Sequence, residues 1–125
     1  MISKKILIIE DEEAVLDILD KKLREEGFET VTSRDGKEGL EIALREKPDL
    51  VLLDLILPTM DGLTLLDKLR ADVAGKNLSV VILTNLDNAE KIEEGRKKGV
   101  YDYLVKTDWT LEDVIKRVKQ VLNEK

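Results

Sequence analysis

Leu50-Val51-Leu52-Leu53-Asp54-Leu55-Ile56-Leu57 is an apolar run broken by a single carboxylate. A short, continuous run of this kind reads as a strand buried on both faces, as in a parallel sheet covered by helices. Similar runs occupy residues 6–9 and 80–83, a weaker one occupies 103–105, and residues 29–33 fit a further short strand. Between them the spacing becomes helical. Ala14, Val15, Ile18, Leu19 and Leu23 form one stripe, Val114, Ile115, Val118, Val121 and Leu122 form another, and residues 37–46 make a helix ahead of Pro48. Strand and helix alternate five times, which predicts an α/β fold with a parallel sheet and five helices on both its faces.

Local signals agree with that division. Asp35 with Glu38, Asp87 with Glu90 and Thr110 with Asp113 each set a capping side chain three residues ahead of an acid. Trp109 is placed to pack on Val114 as a hydrophobic staple, and Gly27 and Gly99 are placed to close helices in a left-handed conformation. With 125 residues, 42% of them hydrophobic, the chain is long enough for one domain with a core, so residues 1–125 are taken as a single unit.

Composition removes whole classes of chemistry. Cysteine and histidine are both absent, which excludes disulfides, thiolate or imidazole metal sites and histidine-based catalysis. A net charge of −6 argues against direct nucleic-acid binding, which depends on cations that neutralise phosphates. No run approaches the roughly 20 apolar residues of a membrane span. The reading is a cytoplasmic protein whose chemistry rests on carboxylates, hydroxyls, lysines and backbone groups.

In open parallel sheets ligands bind beyond the carboxyl ends of the strands. Those ends present Glu10-Asp11, Asp54, Thr84 and Lys106. Asp54 alone suits either a strand-end turn or a buried functional carboxylate. Clustering it with Glu10 and Asp11 favours the second, because such carboxylates repel one another unless a divalent cation lies between them. Hard oxygen ligands suit Mg²⁺, with Mn²⁺ a substitute. Asp11 is also placed to cap the helix that follows. Lys106 is positioned to neutralise Asp54 or an incoming phosphoryl oxygen, and Thr84 to donate to the same group.

Taken together, Ile6-Leu7-Ile8-Ile9-Glu10-Asp11-Glu12, Asp54 followed by Leu57-Pro58-Thr59-Met60-Asp61-Gly62, Thr84, and Tyr103-Leu104-Val105-Lys106 resemble the receiver domain of two-component response regulators. The resemblance spans almost the whole chain. It implies a doubly wound, flavodoxin-like sheet in the order 2-1-3-4-5, an order shared with receivers in general. It implies that Asp54 takes a phosphoryl group from a sensor histidine kinase or histidine phosphotransfer protein. Mg²⁺ would be held by Glu10, Asp11, Asp54 and the backbone carbonyl of Ile56, while Lys106 and Thr84 hold phosphoryl oxygens. Thr84 and Tyr103 would then switch the face of the fourth helix, fifth strand and fifth helix toward a downstream protein target. The product is a signalling state, not a turnover enzyme, in a monomer or a weak phosphorylation-dependent dimer.

The chain departs from the family at three places. Glu10 lengthens the first acidic arm, Asn85 stands where a small residue is usual and could crowd Asp54, and Thr107 replaces the usual proline after Lys106, leaving that peptide strained or trans. Ile56 and Leu86 offer no hydrogen bond to a hydrolytic water, so the resemblance implies a long-lived phosphorylated form. Rival readings are a haloacid-dehalogenase-like phosphatase, which needs a second acid where Ile56 stands, a flavodoxin-like cofactor binder, and a degenerate receiver that binds partners without phosphorylation.

Overall fold

The computed structural model describes residues 3–123. Five strands alternate with five helices: β1 (Lys5–Ile9), α1 (Glu13–Glu25), β2 (Glu29–Ser33), α2 (Gly36–Glu46), β3 (Leu50–Leu53), α3 (Gly62–Ala71), β4 (Val80–Thr84), α4 (Ala89–Arg96), β5 (Asp102–Val105) and α5 (Leu111–Asn123). The strands form one parallel sheet in the order β2-β1-β3-β4-β5. This is the doubly wound architecture expected from the sequence.

Strand pleating divides the core. Ile6 and Ile8 of β1, Leu50 and Leu52 of β3, and Val81 and Leu83 of β4 face α1 and α5. Their neighbours Leu7, Ile9, Val51, Leu53, Val80 and Ile82 face the opposite layer with residues of α2 and α3. Each central strand must be apolar at every position to satisfy both layers, which is why β1, β3 and β4 read as uninterrupted runs. β2, at the sheet edge, has only Ser33 fully buried.

The α5 stripe is buried at all five positions read from the sequence: Val114, Ile115, Val118, Val121 and Leu122. The α1 stripe needs correction. Leu16, Leu19 and Leu23 are its buried line, Val15 is half-buried, and Ala14 and Ile18 face solvent. Leu19 and Leu23 suit either reading, and the helix settles with Leu16 inward, three residues before Leu19.

Caps are partly as expected. Asp35 accepts from Glu38 N at 3.0 Å, and Thr110 and Asp113 form a reciprocal pair, with Asp113 N donating to Thr110 Oγ1 at 3.1 Å. At α4 the cap is Asn88, accepting from Lys91 N at 2.8 Å, not Asp87. α1 begins at Glu12 with no side-chain cap, so Asp11 does not perform that role. Leu111 packs on the α1/α5 layer, whereas Trp109 remains 37% exposed. Gly27 and Gly99 adopt φ of 94° and 73°, closing α1 and the turn after α4.

Arg70 of α3 joins two loops at the amino end of the sheet. Its guanidinium donates to the carbonyls of Gly75, Lys76 and Leu78 before β4, and of Lys98 and Gly99 before β5. Burial lowers its pKa. Among the described residues no helix is long and apolar enough to cross a membrane.

Candidate functional site

Sheet register assembles the acidic edge. Ile9 aligns with Leu53, and Leu53 with Ile82, so β1, β3 and β4 end nearly level. Asp54 N donates to Ile9 O at 2.9 Å, and Glu10 N to Ser33 O at 3.0 Å, extending both ladders one residue past the strands. Glu10 and Asp54 therefore emerge side by side, 2% and 5% exposed.

Asp54 is surrounded by donors. Its Oδ1 accepts from the Thr84 hydroxyl at 2.7 Å and from Ile56 N at 3.1 Å, and its Oδ2 accepts from Lys106 Nζ at 3.0 Å. A hydroxyl, an amide and an ammonium thus compensate a carboxylate that would be costly to bury alone. Behind Thr84, Tyr103 is packed inward with its hydroxyl donating to Leu86 O at 2.7 Å. Burial pushes the Tyr103 phenol upward, and the charge of Asp54 adds to it. Gly95 of α4 makes room for the ring, since a Cβ there would lie 3.0 Å from Tyr103.

Lys106 lies among three carboxylates, at 2.7 Å from Glu10 Oε1, 3.0 Å from Glu12 Oε1 and 3.0 Å from Asp54 Oδ2. Burial alone would lower its pKa. The bonds to Glu10 and Asp54 outweigh burial and hold the ammonium well above the usual lysine range. Glu10 moves upward, chiefly through burial, against the opposing bonds from Lys106 and from Glu12 N, which donates to Glu10 Oε2 at 3.0 Å.

The structure therefore brings together Glu10, Asp54, Thr84 and Lys106, with Tyr103 behind them and Ile56 N on Asp54. It does not bring in Asp11, whose side chain is exposed and whose carbonyl accepts from Arg34 Nε at 3.0 Å. Glu12, absent from the sequence-based set, takes a place instead: carboxylate oxygens of Glu10, Glu12 and Asp54 all lie within 4.8 Å of one another. No sequence pattern reports this exchange, because residues 10–12 lie between β1 and α1 and follow neither period. Asn85 is exposed and its crowding of Asp54 is not seen. The Lys106–Thr107 peptide is trans and continues as a turn of 3₁₀ helix over Lys106–Asp108.

This donor set fits a hard divalent cation. It is all oxygen, it has two buried carboxylates, and a positive group already lies among its acids. Three carboxylates against one ammonium leave two negative charges, which one divalent ion balances.

Comparison with known proteins agrees with the geometry. The family profile described as the response regulator receiver domain matches residues 6–119. The chain is 31% identical over 122 residues to sporulation initiation phosphotransferase F of Bacillus subtilis, covering 98% of this chain and 96% of that protein. It is 38% identical over 104 residues to response regulator PleD of Caulobacter vibrioides, covering 83% of this chain but 23% of PleD. The crystal structure of a CheY-like response regulator receiver domain protein from Methanospirillum hungatei superposes with a TM-score of 0.90 at 28% identity, covering 98% of this chain and 96% of that one.

Proposed function

The chain belongs to the response regulator receiver domain family, and from that premise we propose that residues 1–125 act as one receiver whose phosphoacceptor is Asp54. Receiver domains are signalling switches that bind Mg²⁺ at an acidic pocket and communicate with histidine kinases or phosphotransfer proteins and with downstream targets. The observation behind the assignment is the Asp54 carboxylate itself, 5% exposed, at a strand end, and bonded to Thr84, Ile56 N and Lys106.

In this reading an Asp54 carboxylate oxygen forms a bond to the phosphorus of a phosphohistidine. The phosphorus–nitrogen bond breaks, and its electron pair returns to the donor imidazole. Mg²⁺ would be held by Glu10, Asp54, the Ile56 carbonyl and Asp11 after a turn of its exposed side chain, and would offset charge on the phosphoryl oxygens. The groups now on Asp54 become donors to the transferred group: Thr84 through its hydroxyl, Lys106 through its ammonium, and Ile56 through its amide. Transfer of Thr84 toward the phosphoryl group would remodel the packing of Tyr103 against Leu86 and α4, presenting an altered α4–β5–α5 face to a protein target.

The test is intact-protein mass after incubation with acetyl phosphate and Mg²⁺. One phosphoryl group is expected on the parent chain and none on Asp54→Asn or in excess chelator. An adduct that persists on Asp54→Asn would overturn the assignment. A folded, Mg²⁺-binding parent that gains no adduct would instead support the degenerate, phosphorylation-independent receiver.

A further inference from the structure

The three carboxylates around Lys106 are not equivalent. The side chains of Glu10 and Asp54 are 3% and 5% exposed, whereas that of Glu12 is 57% exposed. The ammonium has three protons and three acceptors, so in the arrangement before metal binds none is free for a phosphoryl oxygen. One contact must yield before Lys106 can serve the transferred group. With no metal to replace it, releasing Glu10 or Asp54 would leave a buried carboxylate without its cation, which is strongly unfavourable. Releasing Glu12 returns a carboxylate that is already 57% exposed to water, at little cost.

Resting on the phosphoacceptor reading of Asp54, we propose that Glu12 is a positioning residue that holds Lys106 at the rim of the site and competes with the phosphoryl group for its ammonium. The Glu12 backbone is fixed by its amide bond to Glu10 Oε2 at 3.0 Å and by its carbonyl, which accepts from Leu16 N at 2.9 Å as α1 begins. Only the side chain is free to swing. When Glu10 and Asp54 turn their oxygens to a metal, two ammonium protons are freed but Glu12 still holds the ammonium at the rim, and its release is the step that lets Lys106 swing to the phosphoryl oxygen.

Two substitutions separate tethering from simple charge. Glu12→Gln removes the charge and weakens the tether, while Glu12→Asp keeps the charge on an arm one carbon too short to reach Lys106. At saturating Mg²⁺, confirmed for each protein by titration of Trp109 fluorescence with MgCl₂, both variants are expected to accept phosphoryl from acetyl phosphate about 2- to 5-fold faster than the parent, the change set by the strength of an exposed ion pair. In the Mg²⁺-loaded protein without phosphodonor, the Lys106 ammonium resonance is expected to lose protection from solvent exchange in both. Acceleration by Glu12→Gln alone would mean relief of donor repulsion and would overturn the tether, as would unchanged Lys106 protection in both variants. A parent chain that takes no phosphoryl while Mg²⁺ binds would instead remove the phosphoacceptor reading, and this inference with it.

Discussion

At Asp61 one carboxylate closes the first turn of α3, accepting from Thr64 N and from the Thr64 hydroxyl, each at 3.0 Å. The amide bond, more than the hydroxyl, holds its pKa below the ordinary 3.8, against a smaller effect of burial. A carboxylate with a lowered folded pKa stabilises the protein above its unfolded value, and that contribution fades as pH falls through the folded one. Asp61→Ala is expected to cost about 1 kcal/mol at neutral pH, and urea unfolding at successively lower pH below the ordinary 3.8 should show the gap closing. A gap that stays constant into acid would mean that the charge plays no part. At this scale the sequence disclosed most of the acidic edge, because Asp54, Thr84 and Lys106 sit where strands end and their direction follows from the pleat. The exchange of Asp11 for Glu12 was hidden, since side-chain direction in a strand-to-helix turn depends on two or three backbone angles that no periodicity reports.

Among the elements, α4 is the least secured. Only Gly95 of its residues is buried, with Ile92 half-buried against the α2/α3 layer. It is fastened at its ends instead. The entering loop is tied by the Tyr103 hydroxyl to Leu86 O, and the departing turn by Arg70 to Lys98 O and Gly99 O and by Lys98 Nζ to Asp67 at 2.6 Å. Tyr103→Phe, which removes one bond worth about 1 kcal/mol, is therefore expected to speed hydrogen exchange at residues 89–92 and leave 97–99 unchanged. Arg70→Ala should do the reverse, with a global loss of about 2–3 kcal/mol from carbonyls left without their donor. Uniform acceleration along α4 in both variants would contradict separate fastening. The sequence signalled Gly99, which closes the turn after α4. It did not signal Arg70, because an arginine whose partners are backbone carbonyls leaves no complementary acid in the pattern.

Over the whole molecule, strand order and layering follow from uninterrupted apolar strands alternating with helices, and α5 was legible to the residue. The α1 face was not, because two stripes sharing Leu19 and Leu23 fit the spacing equally and only packing chooses between them. The resulting division of the core has a measurable effect. Tyr103, Leu86 and Ile92, which surround the proposed switch, all belong to the layer containing residues of α2 and α3, while Leu19 and Val118 belong to the layer of α1 and α5. Leu19→Ala should lower stability by about 2–5 kcal/mol, yet leave the rate of phosphoryl uptake unchanged at temperatures where the variant is folded. A matching fall in rate among folded molecules would show that the two layers are not independent.

The sheet, on this view, acts as a firebreak for inherited change. Substitutions can accumulate along the buried line of α1, adjusting how long the chain survives heat or proteolysis, without rewriting the message carried by α4, β5 and the outer surface of α5.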